Sequence, residues 1–422
     1  MNVRYGDDTM VAHMAAEKWL ILTQYFPPEV GSPQVRLPCL ARELSRAGKQ
    51  IRVITAMPNY PTGRVFPGYE RRWFIRDQYQ GLRVDRTWIS ANDGRSALSR
   101  IVSHGSFTGT ALFVALCTER PDVVFVEGQP FTLGLAGWLL QRLRGSRYIL
   151  HVPDLQLDVA EQLGFLRGRT LAMARRFEDW LLRCAWRVSV PTEAFLDAML
   201  SRGVTQQRLT FLPNGVDLER FRPLPPNQDL MRRFGLIGRR VFVYAGTQAH
   251  YHGVDVILEA AARLRGRDLT CVLAGEGPEH AHLKQRARDL GLDNVIFPGP
   301  WPHDELPQLY SIATAALMTI RNIPVARQMR LAKLLPALAC GVPIIHSGEG
   351  EGADLITQYD CGQVVPPENA EQLALAMLRM AEDSEYRDRC ADASRKLAEL
   401  KFGWNAIVDR WLADLEALPR EA

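Results

Sequence analysis

Short runs of β-branched and apolar residues recur along the chain, each followed by a polar loop and then by a segment with helical apolar spacing. KWLILTQYF from Lys18, VRLPCLARELSRAG from Val35 and QIRVITAM from Gln50 form a strand, a helix and a strand, a βαβ unit. Val123 to Glu127, Arg147 to Val152 and Arg187 to Val190 extend the series as strands, with helices such as Thr170 to Cys184 between them. Alternation of this kind predicts a doubly wound, mostly parallel sheet. The pattern restarts at LTFLPNGVD, Leu209 to Asp217, and five more apolar strands lie beyond the proline-rich FRPLPPNQ, in RRVFVYAG, DLTCVLAG, NVIFPG, TAALMTI and VPIIHS. A second α/β domain of similar size is expected, built by the same rule without repeating the first in sequence. WNAIVDRWLADLEAL, Trp404 to Leu418, puts Trp404, Ile407, Trp411 and Leu415 on one helix face suited to packing against a neighbouring domain.

With 422 residues, 47% of them hydrophobic, the chain can bury more than one core. Its longest apolar runs, such as Val123 to Val126 and Ala313 to Met318, fall far short of the roughly 20 residues that cross a bilayer, so no spanning segment is expected. Residues 1–17 contain Asp7 and Asp8 and no apolar stretch of signal-peptide kind, and read as a loose extension on a cytoplasmic protein. Seven cysteines, scattered without C-x-x-C spacing, read as reduced core thiols and not as a disulfide or zinc framework. The net charge of +4 is uneven, with 25 basic and 19 acidic residues in 1–200 against 26 and 28 beyond, or +6 and −2. A basic first part suits an anionic substrate or membrane surface as well as an ordinary mixed-charge surface, and no nucleic-acid partner is expected.

In open parallel sheets the ligand crevice lies outside the carboxyl ends of the strands, so the loops after strands are where chemistry is sought. After the first strand, Pro27-Pro28-Glu29-Val30-Gly31-Ser32-Pro33 opens a helix, and Gly31 either lets a phosphate approach or makes an ordinary turn. Asp154, just past the strand ending at His151-Val152-Pro153, can orient a sugar hydroxyl or accept a proton, whereas His151 reads as a core histidine. Gly246 and Thr247 begin a glycine-bounded loop running to Gly253, again suited to phosphate, and its His250 and His252, lacking partners at a metal-ligand spacing, read as polar loop histidines. Gly275, in AGEGP, resembles part of a dinucleotide fingerprint but has no third glycine in register, which disfavours NAD. QMRLAKLLPALACGVPII from Gln328 is expected to be a helix with Arg327, Arg330 and Lys333 toward its start, where cations serve a diphosphate better than the helix dipole. The glycines and acids of Ser347-Gly348-Glu349-Gly350-Glu351-Gly352 can meet sugar hydroxyls.

LPNGVD, YAG, HGVDVILEAA, LAGEGPE, GLDNVIFPG, KLLPALACGVPII and VVPPENAEQLA, in that order, resemble bacterial family-four glycosyltransferases, nearest in look to the branch that builds O-antigen and capsule polysaccharides. LTQYFPPEVGSPQVRLPCLARELSRAGKQIRVITAMPNYPTG and HVPDLQLDVAEQLG agree in the first half, so the resemblance covers roughly residues 18–415. It implies the GT-B fold, two Rossmann-like doubly wound domains facing across a cleft. The acceptor domain spans 18–203, completed by a crossover helix in 404–422, and the nucleotide-sugar domain spans 204–403. It also implies a retaining, metal-independent transfer with no cofactor beyond the UDP- or GDP-linked donor, on a lipid-linked saccharide at the inner membrane face or a small natural-product or thiol metabolite. By resemblance Gly31 and Ser32 belong to the glycine loop near the diphosphate, and Asp154 is the acidic end of the family's His-Asp or Arg-Asp pair. Lys333 matches the phosphate lysine, with Arg327 beside it, Glu351 the sugar-contacting acid, and Pro300 and Trp301 the base pocket. The family's Glu-x7-Glu signature is absent, because Gln328 and Pro336 stand at its two positions, and Pro153 replaces the usual basic residue before Asp154. A sugar-nucleotide isomerase and a non-catalytic nucleotide-sugar binder are the other readings of the same residues.

Overall fold

The computed structural model describes residues 16–29, 31–92, 97–155, 157–158, 161, 167–323 and 332–417. The chain divides into two compact units, one running to Leu212 and taking in the chain from Trp411, the other Pro213–Arg410. The division falls later than the expected 203/204 boundary.

The first unit holds an eight-stranded sheet. β1 (Lys18–Leu22), β2 (Gln50–Ala56), β3 (Phe74–Tyr79), β4 (Leu82–Thr87), β5 (Val123–Glu127), β6 (Arg147–His151), β7 (Arg187–Val190) and β8 (Leu209–Phe211) lie in the order 3-4-2-1-5-6-7-8. All neighbours pair in parallel except β3 with β4, a hairpin turned at Gln80 and Gly81, both with positive φ. Sequence reading missed this hairpin because FIRDQY alternates with charged residues and stands half out of the protein at the sheet edge. β8 corrects a second expectation: LTF closes the first sheet and does not open the second. The second unit carries β9 (Arg240–Ala245), β10 (Leu269–Ala274), β11 (Val295–Gly299), β12 (Ala315–Thr319), β13 (Ile344–Ser347) and β14 (Gly362–Val365), all parallel, in the order 11-10-9-12-13-14. β14, in a segment whose polar Gln363 breaks the apolar run, is a sixth strand beyond the five expected.

Every residue of β5, β10 and β12 is buried, the mark of parallel strands covered on both faces. In the first unit the helix Gly134–Arg144 lies on the sheet through Gly134 and Gly137, where Tyr148 of β6 fills the space a side chain would take. A Cβ at Gly137 would stand 2.4 Å from the Tyr148 ring and 2.8 Å from Val126. The last helix, Trp404–Ala417, buries the four apolar residues expected of it. Trp404 and Ile407 close on Gly215 of the second unit. Within the first unit Trp411 meets Trp19 and Phe125 edge-on, and its indole donates to Thr210 Oγ1 at 3.2 Å.

Gly137→Ala tests this packing, because alanine gains about 1 kcal/mol of helix propensity but overpacks the Tyr148 face by about 1–3 kcal/mol. The variant is expected to melt a few degrees lower in calorimetry, the opposite of the effect on an open helix surface.

Candidate active site

In the second sheet the strand order reverses direction between β9 and β12, the place where such folds open a crevice. The loop after β9 lies so close to the loop after β10 that side chains are excluded. A Cβ on Gly275, whose φ is +132°, would stand 2.0 Å from the Gly246 carbonyl oxygen, and one on Gly277 would stand 2.4 Å from that of Gln248. Gln248 fastens the two loops: its N–H donates to Glu276 O at 2.8 Å, its carbonyl accepts from Glu279 N at 3.0 Å, and its amide oxygen meets His280 Nδ1 at 2.7 Å. Gly275 N–H donates to Gly299 O at 2.8 Å, which brings the loop carrying Pro300 and Trp301 into the same row.

Lys333 enters this row from the segment after β12. The helix there is Leu334–Ala339, shorter than expected, and Lys333 precedes it instead of lying within it. Its Nζ donates to Tyr244 Oη at 2.7 Å and lies 4.3 Å from the centre of that ring, while its stem crosses Gly246 so that a Cβ there would be 3.4 Å from Cε. Tyr244, fully buried in β9, donates its hydroxyl proton to Thr247 O at 2.6 Å. Burial pushes the lysine down to about 7. His252 and His346, buried nearby, are pushed down to about 3 and about 4 by burial first, with the lysine's charge adding to it, so both stay neutral at pH 7. His252 is thus a buried group and not the polar loop histidine expected. Among the described residues no carboxylate pairs with Lys333, and the group is a cation beside polar, uncharged neighbours.

Of the expected donor residues, Gly246, Thr247, Gly275 and Lys333 come together here. Glu351 opens the helix Glu351–Gln358 after β13, and His346 lies between that turn and the lysine, close to Gly348 and Gly352. Pro300 is exposed and Trp301 is half-buried beside Phe234, with ring centres 6.3 Å apart. Arg327, with Gln328 and Arg330, lies outside the described residues. Pro336 is buried at the third position of its helix, where a missing N–H costs no hydrogen bond. Tyr244 was missed by sequence reading, although a tyrosine at the end of an apolar strand, directly before Ala-Gly, places a hydroxyl at the loop.

The first unit has its own opening at the switch between β1 and β5. A cavity of about 270 Å³ is lined by Tyr25, Gly31, Ser32, Tyr60, His104 and Gln129 among others. Gly31 and Ser32 therefore line this cavity, and Gln34 Oε1 would lie 2.6 Å from a Cβ at Gly31. Asp154 is exposed and reaches the lining only through Gln129, whose Nε2 donates to it at 3.5 Å. Partial loss of solvent raises its carboxyl above the usual range. Glu29, not singled out from sequence, is buried and accepts from the Asn59 and Tyr60 amides at 2.7 and 2.8 Å, which fixes the loop on which Tyr60 stands. His104 is pushed down to about 4 by burial, with Arg100 adding to it, and faces the cavity neutral. His151 is a core histidine, wholly buried and 3.3 Å from Ser189 Oγ.

Comparison with known proteins covers both halves. The model for group 1 glycosyl transferases matches residues 228–397, and that for the glycosyl transferase 4-like domain matches residues 31–215. The putative colanic acid biosynthesis glycosyl transferase WcaI of Escherichia coli is 27% identical over 315 residues, 72% of this chain and 77% of its own. The 2-deoxystreptamine glucosyltransferase of Streptomyces kanamyceticus is 26% identical over 394 residues, 90% of this chain and 94% of its own. Among solved structures, Anabaena HepE in complex with UDP and glucose superposes with a TM-score of 0.70 at 18% identity, over 95% of this chain and all of that one, a likeness of fold. Both halves match in order and the two parallel-sheet units match the architecture, and the chain belongs to the family-four glycosyltransferases of the GT-B fold.

Proposed function

We propose that the second unit holds a nucleoside-diphosphate sugar, UDP- or GDP-linked, and that the protein transfers the sugar to an acceptor hydroxyl with retention of anomeric configuration and without a metal. The observation that carries this reading is Lys333, an ammonium with no described carboxylate partner, lying across a glycine loop at the switch point of a parallel sheet. A buried cation without a counter-ion is costly until an anion arrives, and a departing diphosphate is such an anion. In this reading Lys333 carries the charge of the leaving group, Gly246 and Gly275 leave the backbone open to the phosphates, and Thr247 stands beside them. Pro300 and Trp301 flank the base, and Glu351 meets hydroxyls of the transferred sugar. Arg327 is assigned to the same diphosphate by resemblance alone.

For the first unit we infer an acceptor role. Among the described residues that line its cavity none carries a formal charge at pH 7, and two tyrosines in edge contact, 5.7 Å between centres, offer a ring-sized apolar wall. That suits a polyhydroxylated ring, free or at the end of a lipid-linked saccharide, with Asp154 beside it to orient a hydroxyl or take its proton. Two relatives are named in different ways, one for colanic acid biosynthesis and one as a 2-deoxystreptamine glucosyltransferase. No helix among the described residues is long and apolar enough to cross a membrane, and the site of action assigned here is the cytoplasm or its membrane face.

Calorimetric titration with UDP and GDP at pH 7 and pH 8 tests the donor assignment. The free lysine loses its proton near pH 7 and a bound diphosphate favours the charged form, so affinity should fall about fivefold between the two values, with proton uptake on binding. Lys333→Met is expected to weaken binding at pH 7 by more than about tenfold and to abolish the pH dependence. Unchanged affinity in that variant would remove the lysine from the site.

For the reaction itself, turnover is expected to persist in EDTA, and the product's anomeric proton should show the same coupling class as the donor's by NMR. An inverted anomer would overturn the retaining assignment.

A further inference from the structure

We propose that Tyr244 is a positioning residue for the donor: its hydroxyl ties the Lys333 ammonium to the Gly246–Thr247 turn, so that cation and loop backbone are presented together to one phosphate group. This rests on the donor reading of the same site. Tyr244 belongs to β9, whose residues from Val241 onward are all buried and whose other side chains there are Val, Phe, Val and Ala. A phenylalanine would fill the same volume. The hydroxyl is an expense in that setting unless both of its hydrogen-bonding capacities are used, and both are: it accepts from Lys333 Nζ at 2.7 Å and donates to Thr247 O at 2.6 Å.

The bridge has two consequences. Lys333 has four rotatable stem bonds and a compact charge, and without a fixed acceptor its ammonium has no defined place; the phenol gives it one, with the ring face 4.3 Å from Nζ holding it from the side. The Thr247 carbonyl, held by the same hydroxyl, fixes the peptide that leads into Gln248, whose own N–H and C=O are bonded to the neighbouring loop. Cation and turn therefore move as one. The other titratable groups facing this pair are His252 and His346 on the lysine side, and Tyr251 and Tyr310 on the tyrosine side, none of them a carboxylate that would hold the lysine in place of the phenol.

Tyr244→Phe keeps the ring and removes only the bridge. In ligand-free protein carrying 13Cε-labelled lysine, the NMR titration midpoint of Lys333 is expected to fall by about one pH unit, because an acceptor that favours the ammonium is lost. UDP affinity at pH 7 should weaken about tenfold in the wild-type background and hardly at all in the Lys333→Met background, since the hydroxyl acts through the lysine. A wild-type midpoint together with wild-type affinity in Tyr244→Phe overturns the proposal. So does an equal loss of affinity in both backgrounds, which would mark a purely structural hydroxyl. If the parent protein binds neither UDP nor GDP while the midpoint is still displaced, the donor reading fails and the tie between Tyr244 and Lys333 is upheld.

Discussion

The central strands of both sheets are covered on both faces, and this constraint decides where the molecule can do anything polar. Strands such as Val123–Glu127, Leu269–Ala274 and Ala315–Thr319 have no exposed residue, so a ligand can reach them only at their ends. The polar residues of the strands collect accordingly. Glu127 and His151 end β5 and β6, Tyr244 is next to last in β9, and His346 and Ser347 end β13. The apolar middle of these central strands is structural, and their polar groups stand at the carboxyl end.

The two units use that end differently. In the first, the buried charge at the sheet end has its counter-ion within the protein: Arg36 reaches Glu127 at 2.5 Å, both side chains almost wholly buried. Glu29 is likewise satisfied by two backbone amides. What remains open to the cavity is uncharged, namely two tyrosines, amide side chains and a histidine that burial keeps neutral. In the second unit the sheet end keeps its charge unneutralised in Lys333, and the neighbouring histidines are held neutral by the same desolvation that depresses the lysine. A buried ion pair leaves neither charge to a ligand, whereas an ammonium left with one phenol oxygen still lacks a counter-ion.

The alternation of strands and helices, the two-unit construction and most strand positions were legible in the sequence because buried parallel strands leave nearly unbroken apolar runs. The exceptions share a cause. The hairpin of β3 and β4 stands at an edge and alternates with Arg76 and Asp77, and β14 is short and opened by Gly362, so neither leaves such a run. At the site, glycines 246 and 275 were readable because close backbone approach tolerates little else. Tyr244 was not, because its importance lies in a hydroxyl meeting a lysine 89 residues away. The lysine's place in its helix was misread: apolar spacing puts it inside a helix, whereas Ala332 and Lys333 form a turn and the described helix starts at Leu334.

Pro336 connects the departure from family pattern to the state of the lysine. It lies three residues beyond Lys333, on the same side of the turn, and a carboxylate at that spacing is an ion-pair partner. In this chain the position is a buried pyrrolidine ring that can pair with nothing, so desolvation acts on Lys333 unopposed and brings it down to about 7. With no acid at Pro336, the Tyr244 hydroxyl is the described acceptor of the Lys333 ammonium, and it fixes where that charge rests.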